Sequence, residues 1–181
     1  KLDKTAISLL RQMKKLNDDA IMLKIIEEMQ NIGITILDQT IFIKNLMVQK
    51  GILTKTAPTD LQMADIEYGF KIAKQMGGLD IGQSVVMKDR MIMAIEAIEG
   101  TDKCIKRGCK LARHKNAIVV KVSKPAQDKR FDIPAVGLRT VKTMKRNGAN
   151  VLALESGETI IVNQDKMVKY ANKHKMVIVA L

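Results

Sequence analysis

Charged side chains are concentrated in two short segments, and each segment follows a run of apolar residues. Residues 96–102 read EAIEGTD, and residues 121–137 read KVSKPAQDKRFDIPAVG. Two of the chain's three prolines bracket the charged part of the second segment. Polar loops at the exits of buried strands are where α/β proteins commonly carry their chemistry. We therefore expect the two loops to meet and to hold a cation and a phosphate-bearing ligand.

The carboxylates of these loops indicate the chemistry of a divalent cation. Mg²⁺ typically binds one or two carboxylates together with waters and substrate phosphates. An aspartate of the second loop can hold such an ion while Lys124 or Arg130 neutralises phosphate oxygens. Thr101, at a predicted helix start, adds backbone N–H donors for an anion. The carboxylates of the two loops are Glu96, Glu99, Asp102, Asp128 and Asp132. For each of them taken alone, the alternative interpretation is that it forms a surface salt bridge or caps a helix.

Glu96 differs from the other acidic residues because apolar neighbours surround it in the sequence (AIEAI). If this run is a buried strand, an unpaired carboxylate in it costs several kcal/mol and therefore needs a partner. On an exposed sheet face the residue would carry no functional meaning.

Composition and missing motifs exclude several classes of protein. The chain has no GxGxxG, GxxxxGK[ST], HExxH or GxSxG motif, which argues against dehydrogenases, P-loop NTPases, zinc proteases and serine hydrolases. A formal net charge of +12 favours anionic partners. The aromatic content of 3% argues against single-strand binding by base stacking. A basic nucleic-acid or anionic-ligand binding module without catalysis nevertheless remains the alternative to an enzyme.

The periodicity of apolar residues predicts alternating helices and strands, and hence an α/β fold. Helices are expected at 5–16, 18–32 and 60–76, with a short strand at 34–37. Strands at 83–88 and 91–98 are separated by Asp89-Arg90 and predict a hairpin. Further helices are expected at 102–113, 138–146 and 164–174, and further strands at 117–122, 151–154, 159–162 and 176–180. The spacing of Cys104 and Cys109 fits neither a CxxC pair nor a metal knuckle, which favours reduced cysteines in a cytoplasmic protein.

Several motifs follow one another in a fixed order: LDIGQ at 79–83, EAIEGTD at 96–102, Lys124-Pro125 with Gln127 and Arg130, DIP at 132–134, and Gly137. Together they resemble the C-terminal domain of the LpxI family, the UDP-2,3-diacylglucosamine pyrophosphatases of lipid A biosynthesis. The resemblance covers the chain from about residue 57 to the end, with weaker similarity at 18–33. It implies Mg²⁺-dependent (or Mn²⁺-dependent) hydrolysis of UDP-2,3-diacylglucosamine to UMP and 2,3-diacylglucosamine 1-phosphate (lipid X).

The resemblance also implies roles for individual residues. Asp132 is the candidate catalytic carboxylate, and Asp132, Asp102 and Glu99 are the candidate metal ligands. Candidate contacts to the phosphates or the sugar are Lys124, Gln127, Arg130, Thr101 and Gln83. The implied partners are the UDP-sugar and the membrane surface that supplies it, with no nucleic acid and with a homo-oligomer left open. The implied location is the cytoplasm, at the periphery of the inner membrane.

The resemblance further divides the chain. We expect residues 1–57 to be a mostly helical remnant of an N-terminal Rossmann-like domain and residues 58–78 to be a connecting helix. Residues 79–181 are expected to be a C-terminal α/β catalytic domain with a mixed sheet and flanking helices. The family's glycine-rich opening is expected to precede the point where this chain begins. If that region forms one wall of the substrate cleft, we expect the chain alone to be inactive.

Overall fold

The computed structural model describes residues 7–9, 11 and 18–181, and within these the chain forms two compact units. The first unit comprises the chain up to Ile43 together with Asp128–Asp132. The second comprises Lys44–Gln127 and Ile133–Leu181. Of the helix predicted at 5–16, residues 7–9 and 11 are helical, and the rest lies outside the described residues.

The N-terminal unit is helical where it is described. Helix α1 spans Asp18–Asn31 and is followed by Gly33, whose φ of +83° suits a glycine after a helix. Helix α2 spans Thr40–Ile43, and the Asp38 carboxylate caps it by accepting hydrogen bonds from the Thr40 N–H and hydroxyl. The strand predicted at 34–37 is wrong: these residues form no strand and are mostly exposed. An apolar segment becomes a strand only where it can form backbone hydrogen bonds with the edge of a neighbouring strand.

The second unit alternates strands and helices, as the sequence predicts. A 3₁₀ turn at Lys44–Leu46 opens it. Its helices are α3 (Asp60–Gly78), α4 (Thr101–Leu111), α5 (Leu138–Asn147) and α6 (Gln164–Lys173). Its strands are β1 (Gly51–Ile52), β2 (Ser84–Lys88), β3 (Met91–Ile95), β4 (Ala117–Lys121), β5 (Ala135–Gly137), β6 (Ala149–Leu154), β7 (Ile160–Val162) and β8 (Val177–Ala180).

Six of the strands form one mixed sheet in the order β1-β8-β6-β4-β2-β3. Strands β4, β6 and β8 are parallel, whereas β1, β2 and β3 each run antiparallel to a neighbour. The mixed sheet with flanking helices confirms the predicted fold class. A separate two-stranded parallel sheet pairs β5 with β7. The sequence did not predict β5, a strand of three residues that directly follows Pro134.

The main sheet is buried on both faces. Val119, Leu152 and Ile178 point towards a layer formed by α4, α5 and α6. Val120, Val151 and Val179 point to the opposite face, where α3 covers them. This alternation along each strand divides the core into two apolar clusters. None of the helices in the described part of the chain is both long and apolar enough to cross a membrane.

The predicted hairpin forms around a turn that has no glycine. Asp89 and Arg90 have φ values of +50° and +60°, the backbone that a two-residue hairpin loop requires. The Arg90 N–H donates to the buried Asp65 carboxylate at 2.8 Å, so helix α3 holds the turn in place. This tertiary contact explains how the turn forms without the usual glycine.

Helix α4 packs so closely on strand β2 that there is no room for a side chain at position 108, which is a glycine. A Cβ atom at Gly108 would lie 2.5 Å from the Cβ of Val86, a fully buried residue. We expect Gly108→Ala to destabilise the protein by about 2 kcal/mol through overpacking, despite the better helix propensity of alanine. Urea unfolding followed by circular dichroism measures this change. The matched control is Gly78→Ala in α3, where the new methyl meets only Pro125 at 3.9 Å; equal stability of the two variants would contradict the packing argument.

The two cysteines are free and buried inside the helical layer. Burial raises the pKa of the Cys104 thiol to about 12 and that of Cys109 to about 11, so both stay protonated at neutral pH. We therefore expect iodoacetamide to label the folded protein at pH 8 at least about tenfold more slowly than the urea-unfolded chain. Rapid labelling of the folded protein, detected by mass spectrometry, would show that the thiols are reachable.

Candidate functional site

The ends of several strands bring polar side chains to one edge of the main sheet. The parallel strands β4, β6 and β8 all end there. Ser84, at the start of β2, lies opposite Lys121 at the end of β4, and β3 ends beside Ser84. We call this the carboxyl edge. It is the position at which open α/β sheets bind ligands.

Three side chains at the carboxyl edge form a hydrogen-bonded chain. The Lys121 ammonium donates to the Thr101 hydroxyl at 3.0 Å, and that hydroxyl donates to the Glu96 carboxylate at 2.8 Å. Glu96 and Lys121 are only 8% and 7% exposed. The sequence predicts that Glu96 needs a partner if buried, and this is confirmed: Thr101 is the direct partner and connects the carboxylate to a buried cation.

Three polar atoms near Glu96, Thr101 and Lys121 are able to form further hydrogen bonds. The second carboxylate oxygen of Glu96, the side-chain oxygen of Gln83 and the hydroxyl of Ser84 are buried and have no hydrogen-bond partner among the described residues. Buried polar groups normally have partners, so atoms of this kind are frequently found where a protein receives a ligand or ordered water. All three belong to segments that end or begin at the carboxyl edge.

The first part of the loop after β4 is held to the second unit by a polar network. The Ser123 N–H donates to Glu155 at 2.8 Å, and Lys74 bonds both the Ser123 carbonyl and Glu155. The Gln127 side-chain oxygen accepts from the Lys124 N–H and the Ser123 hydroxyl. These contacts fix the backbone of the loop directly after the strand.

Lys124 itself is anchored from a second direction. Its ammonium lies 2.6 Å from the Asp80 carboxylate, in the segment between α3 and β2. Gly77 makes the approach possible, because a Cβ there would lie 3.2 Å from the Lys124 backbone. The predicted ligand contacts Lys124 and Gln127 therefore both sit in an ordered loop that begins at the carboxyl edge.

The other predicted residues of the first loop are engaged in ion pairs. Arg107 binds the Glu99 carboxylate and also donates to the Ile95 carbonyl at 2.8 Å. The guanidinium of Arg107 is the main reason that the pKa of Glu99 is lowered. Asp102, in the first turn of α4, pairs with Arg139 at 2.8 Å. Each of the two carboxylates thus pairs with an arginine.

The remaining predicted residues, Arg130 and Asp132, belong to the first unit. Within it, the Arg130 guanidinium donates to both carboxylate oxygens of Asp128, and this ion pair lowers the pKa of Asp128. The Asp132 N–H donates to the Asp128 carbonyl at 3.0 Å. In the described part of the chain, no three His, Cys, Asp or Glu side chains are grouped as a metal site. The predicted meeting of Asp132 with Asp102 and Glu99 stays a prediction.

Sequence reasoning missed Lys121 as a site residue. The available signal was a lysine at the end of an otherwise apolar strand, AIVVK, all five residues of which are buried. It also missed Asp80 and Glu155, which contact Lys124 and the Ser123 N–H of the loop after β4. These two come from distant parts of the sequence and meet the loop only in the folded unit.

Comparison with known proteins agrees with the resemblance seen in the sequence. Residues 49–179 match the LpxI C-terminal domain, and residues 1–46 match the LpxI N-terminal domain. The UDP-2,3-diacylglucosamine pyrophosphatase LpxI of Caulobacter vibrioides is 29% identical over 162 residues. That alignment covers 86% of this chain and 58% of the relative, so the chain spans little more than half of the relative's length. The chain belongs to the LpxI family.

Proposed function

We propose that this protein hydrolyses the diphosphate of UDP-2,3-diacylglucosamine, releasing UMP and 2,3-diacylglucosamine 1-phosphate. The substrate is the one in the name of the Caulobacter relative. The observation that carries the proposal is the buried chain of Glu96, Thr101 and Lys121 at the carboxyl edge. A buried ammonium beside a helix start is suited to a diphosphate, because both present positive charge to the same oxygens.

The start of α4 supplies the neutral part of the anion site. Gly100 precedes the helix with φ of +80°, and no side chain caps the helix. The first N–H groups of an α-helix have no partner within the helix and favour anions. Thr101 stands at this position, and its hydroxyl accepts from the Lys121 ammonium and so holds that cation beside the helix start. We assign Lys121 and Thr101 to the phosphates, and Lys124, Gln127, Gln83 and Arg130 to the phosphates or the sugar.

The donor atoms suit a magnesium ion. Asp132, Asp102 and Glu99 offer carboxylate oxygens, the ligands that Mg²⁺ prefers, and Mg²⁺ needs only one or two of them beside substrate phosphates. We propose Asp132 as the principal ligand. Asp102 and Glu99 would bind only after exchanging their arginine partners for the ion. When bound, Mg²⁺ neutralises charge that develops on the diphosphate.

Asp132 is also the proposed catalytic carboxylate. Hydrolysis requires that a water molecule lose a proton as its oxygen bonds to phosphorus and the bridging P–O bond breaks. An aspartate carboxylate can orient that water and accept the proton. Lys121 and the N–H groups of α4 meanwhile stabilise the negative charge of the phosphates. The reaction is proposed to occur in the cytoplasm on substrate drawn from the membrane.

The proposal is tested by incubating the chain with UDP-2,3-diacylglucosamine in the presence of Mg²⁺ or of EDTA. Chromatography of the products should show UMP with Mg²⁺ and little UMP with EDTA. The Caulobacter relative serves as the positive control. Because this chain spans 58% of that relative, substrate binding is measured in parallel. Binding without turnover is the result expected if one wall of the cleft is missing, and absence of both would contradict the proposal.

A further inference from the structure

The positive charge of this protein is concentrated on one face of its main sheet. Helices α4, α5 and α6 cover that face and together carry eleven lysines and arginines against two aspartates. The resulting formal charge of plus nine accounts for most of the chain's net charge of +12. Helix α3, on the opposite face, has three acidic and two basic residues. We call the surface formed by α4, α5 and α6 the basic face.

The cations of the basic face point outwards. Ten of its eleven basic side chains are exposed, and Lys142 is half-buried with its ammonium over the Tyr170 ring. Only Arg107 and Arg139 have a carboxylate partner among the described residues. The other nine form no ion pair in the described part of the chain. The face therefore attracts anions and is not neutralised by its own acidic residues.

The basic face is continuous with the candidate site. A groove between α4 and α5 is lined by Asp102 and Arg139 at the helix starts and by Lys106, Lys142 and Arg146 further along. Both helices begin on the side of the carboxyl edge, since α4 leads to the start of β4, α5 leads to the start of β6, and these two strands are parallel. An anionic surface bound to this face would thus lie beside the point where the proposed substrate binds.

We propose that the basic face docks on a membrane of anionic phospholipids. This inference rests on the proposed function, because a diacylated substrate resides in a membrane. Charge spread over three helices complements a layer of headgroups, and each lysine or arginine near such a layer adds to binding. Among the apolar side chains of these helices only Leu111 is highly exposed, so binding is electrostatic and reversed by salt. The aromatic content of 3% offers little for stacking on nucleic-acid bases.

The test compares two triple variants that reduce the net charge by the same amount. Lys110→Glu/Lys145→Glu/Lys169→Glu changes one exposed residue on each helix of the basic face, away from the carboxyl edge. The control, Lys44→Glu/Lys50→Glu/Lys71→Glu, changes three exposed lysines outside that face. Each full chain is sedimented with phosphatidylcholine vesicles that contain or lack phosphatidylglycerol. Circular dichroism confirms that each variant is folded.

We expect the unmodified chain to bind only the anionic vesicles, and binding to be lost in high salt. The basic-face variant should bind these vesicles at least about tenfold more weakly, and the control should change less than about twofold. Equal loss in both variants, or no binding by the unmodified chain, would overturn the proposal. So would tighter binding of a DNA duplex than of anionic vesicles at the same salt concentration.

The vesicles contain no substrate, so this result is independent of catalysis. In a second arm, UMP release is measured with substrate in neutral detergent micelles and in anionic vesicles. The basic-face variant should match the unmodified chain in micelles and fall behind it on vesicles. A variant that falls behind equally in both would contradict membrane docking. A chain that binds vesicles without releasing UMP would bear on the proposed hydrolysis alone and would leave membrane docking supported.

Discussion

Replacing Asp132 with alanine is expected to reduce UMP release by about 10³-fold while leaving the protein folded. The change removes the proposed proton acceptor and the principal carboxylate for the metal. Asp132→Asn should be almost as inactive, because the amide keeps the shape but neither accepts the proton nor carries the charge. Since Asp132 lies in a half-buried loop, its loss should alter the free energy of unfolding by less than about 1 kcal/mol.

The matched control is Asp165→Ala, which removes an exposed aspartate from α6. It lowers the number of carboxylates equally and should retain normal turnover. Initial rates are measured at saturating Mg²⁺, and urea unfolding verifies the fold of each variant. An Asp132→Ala protein that is folded and fully active would remove Asp132 from the mechanism.

Replacing Lys121 with methionine is expected to cost both activity and stability. The substitution keeps the length of the buried side chain but removes the ammonium that donates to Thr101. Loss of a buried charge partner leaves Glu96 without nearby compensation, which typically costs about 3 kcal/mol. Loss of a cation from the proposed diphosphate site should lower kcat/KM by about 10²-fold.

A second substitution separates these two effects. Adding Glu96→Gln removes the uncompensated charge, so the Lys121→Met/Glu96→Gln protein should recover about 2 kcal/mol of the lost stability. It should not recover activity, because the cation for the substrate is still absent. Urea unfolding and steady-state kinetics on the four members of this cycle provide the measurement. Full recovery of activity with stability would show that Lys121 is purely structural.

Local patterns predicted the elements of the second unit well. The hairpin of β2 and β3 could be predicted because its two apolar segments flank a two-residue gap. The structure confirms this hairpin. The second strand ends at Ile95 rather than at residue 98, because the chain turns at residues 98–99 before α4 begins at Thr101. The strand expected at 34–37 fails for the opposite reason: its residues are apolar, but no strand pairs with them.

Non-local contacts could not be read from the sequence. The need of Glu96 for a partner follows from its apolar neighbours, but the identity of that partner depends on the order of strands. Strand β2 lies between β3 and β4, and only this order brings Lys121 to the same edge as Glu96. The antiparallel placement of β2 beside β4 has no local signature. The site residues taken from the family resemblance, Asp132 above all, remain predictions for the same reason.

The proposed function requires the diphosphate to bind at the carboxyl edge, between the start of α4 and the end of β4. The most direct test is a crystal structure of the Asp132→Asn protein with UDP-2,3-diacylglucosamine and Mn²⁺, whose anomalous signal locates the metal. We predict phosphate oxygens within hydrogen-bonding distance of the Lys121 ammonium and the Thr101 N–H, with the metal on the same diphosphate. A diphosphate bound elsewhere, for instance along the groove beside Arg146, would show that the carboxyl edge is not the substrate site.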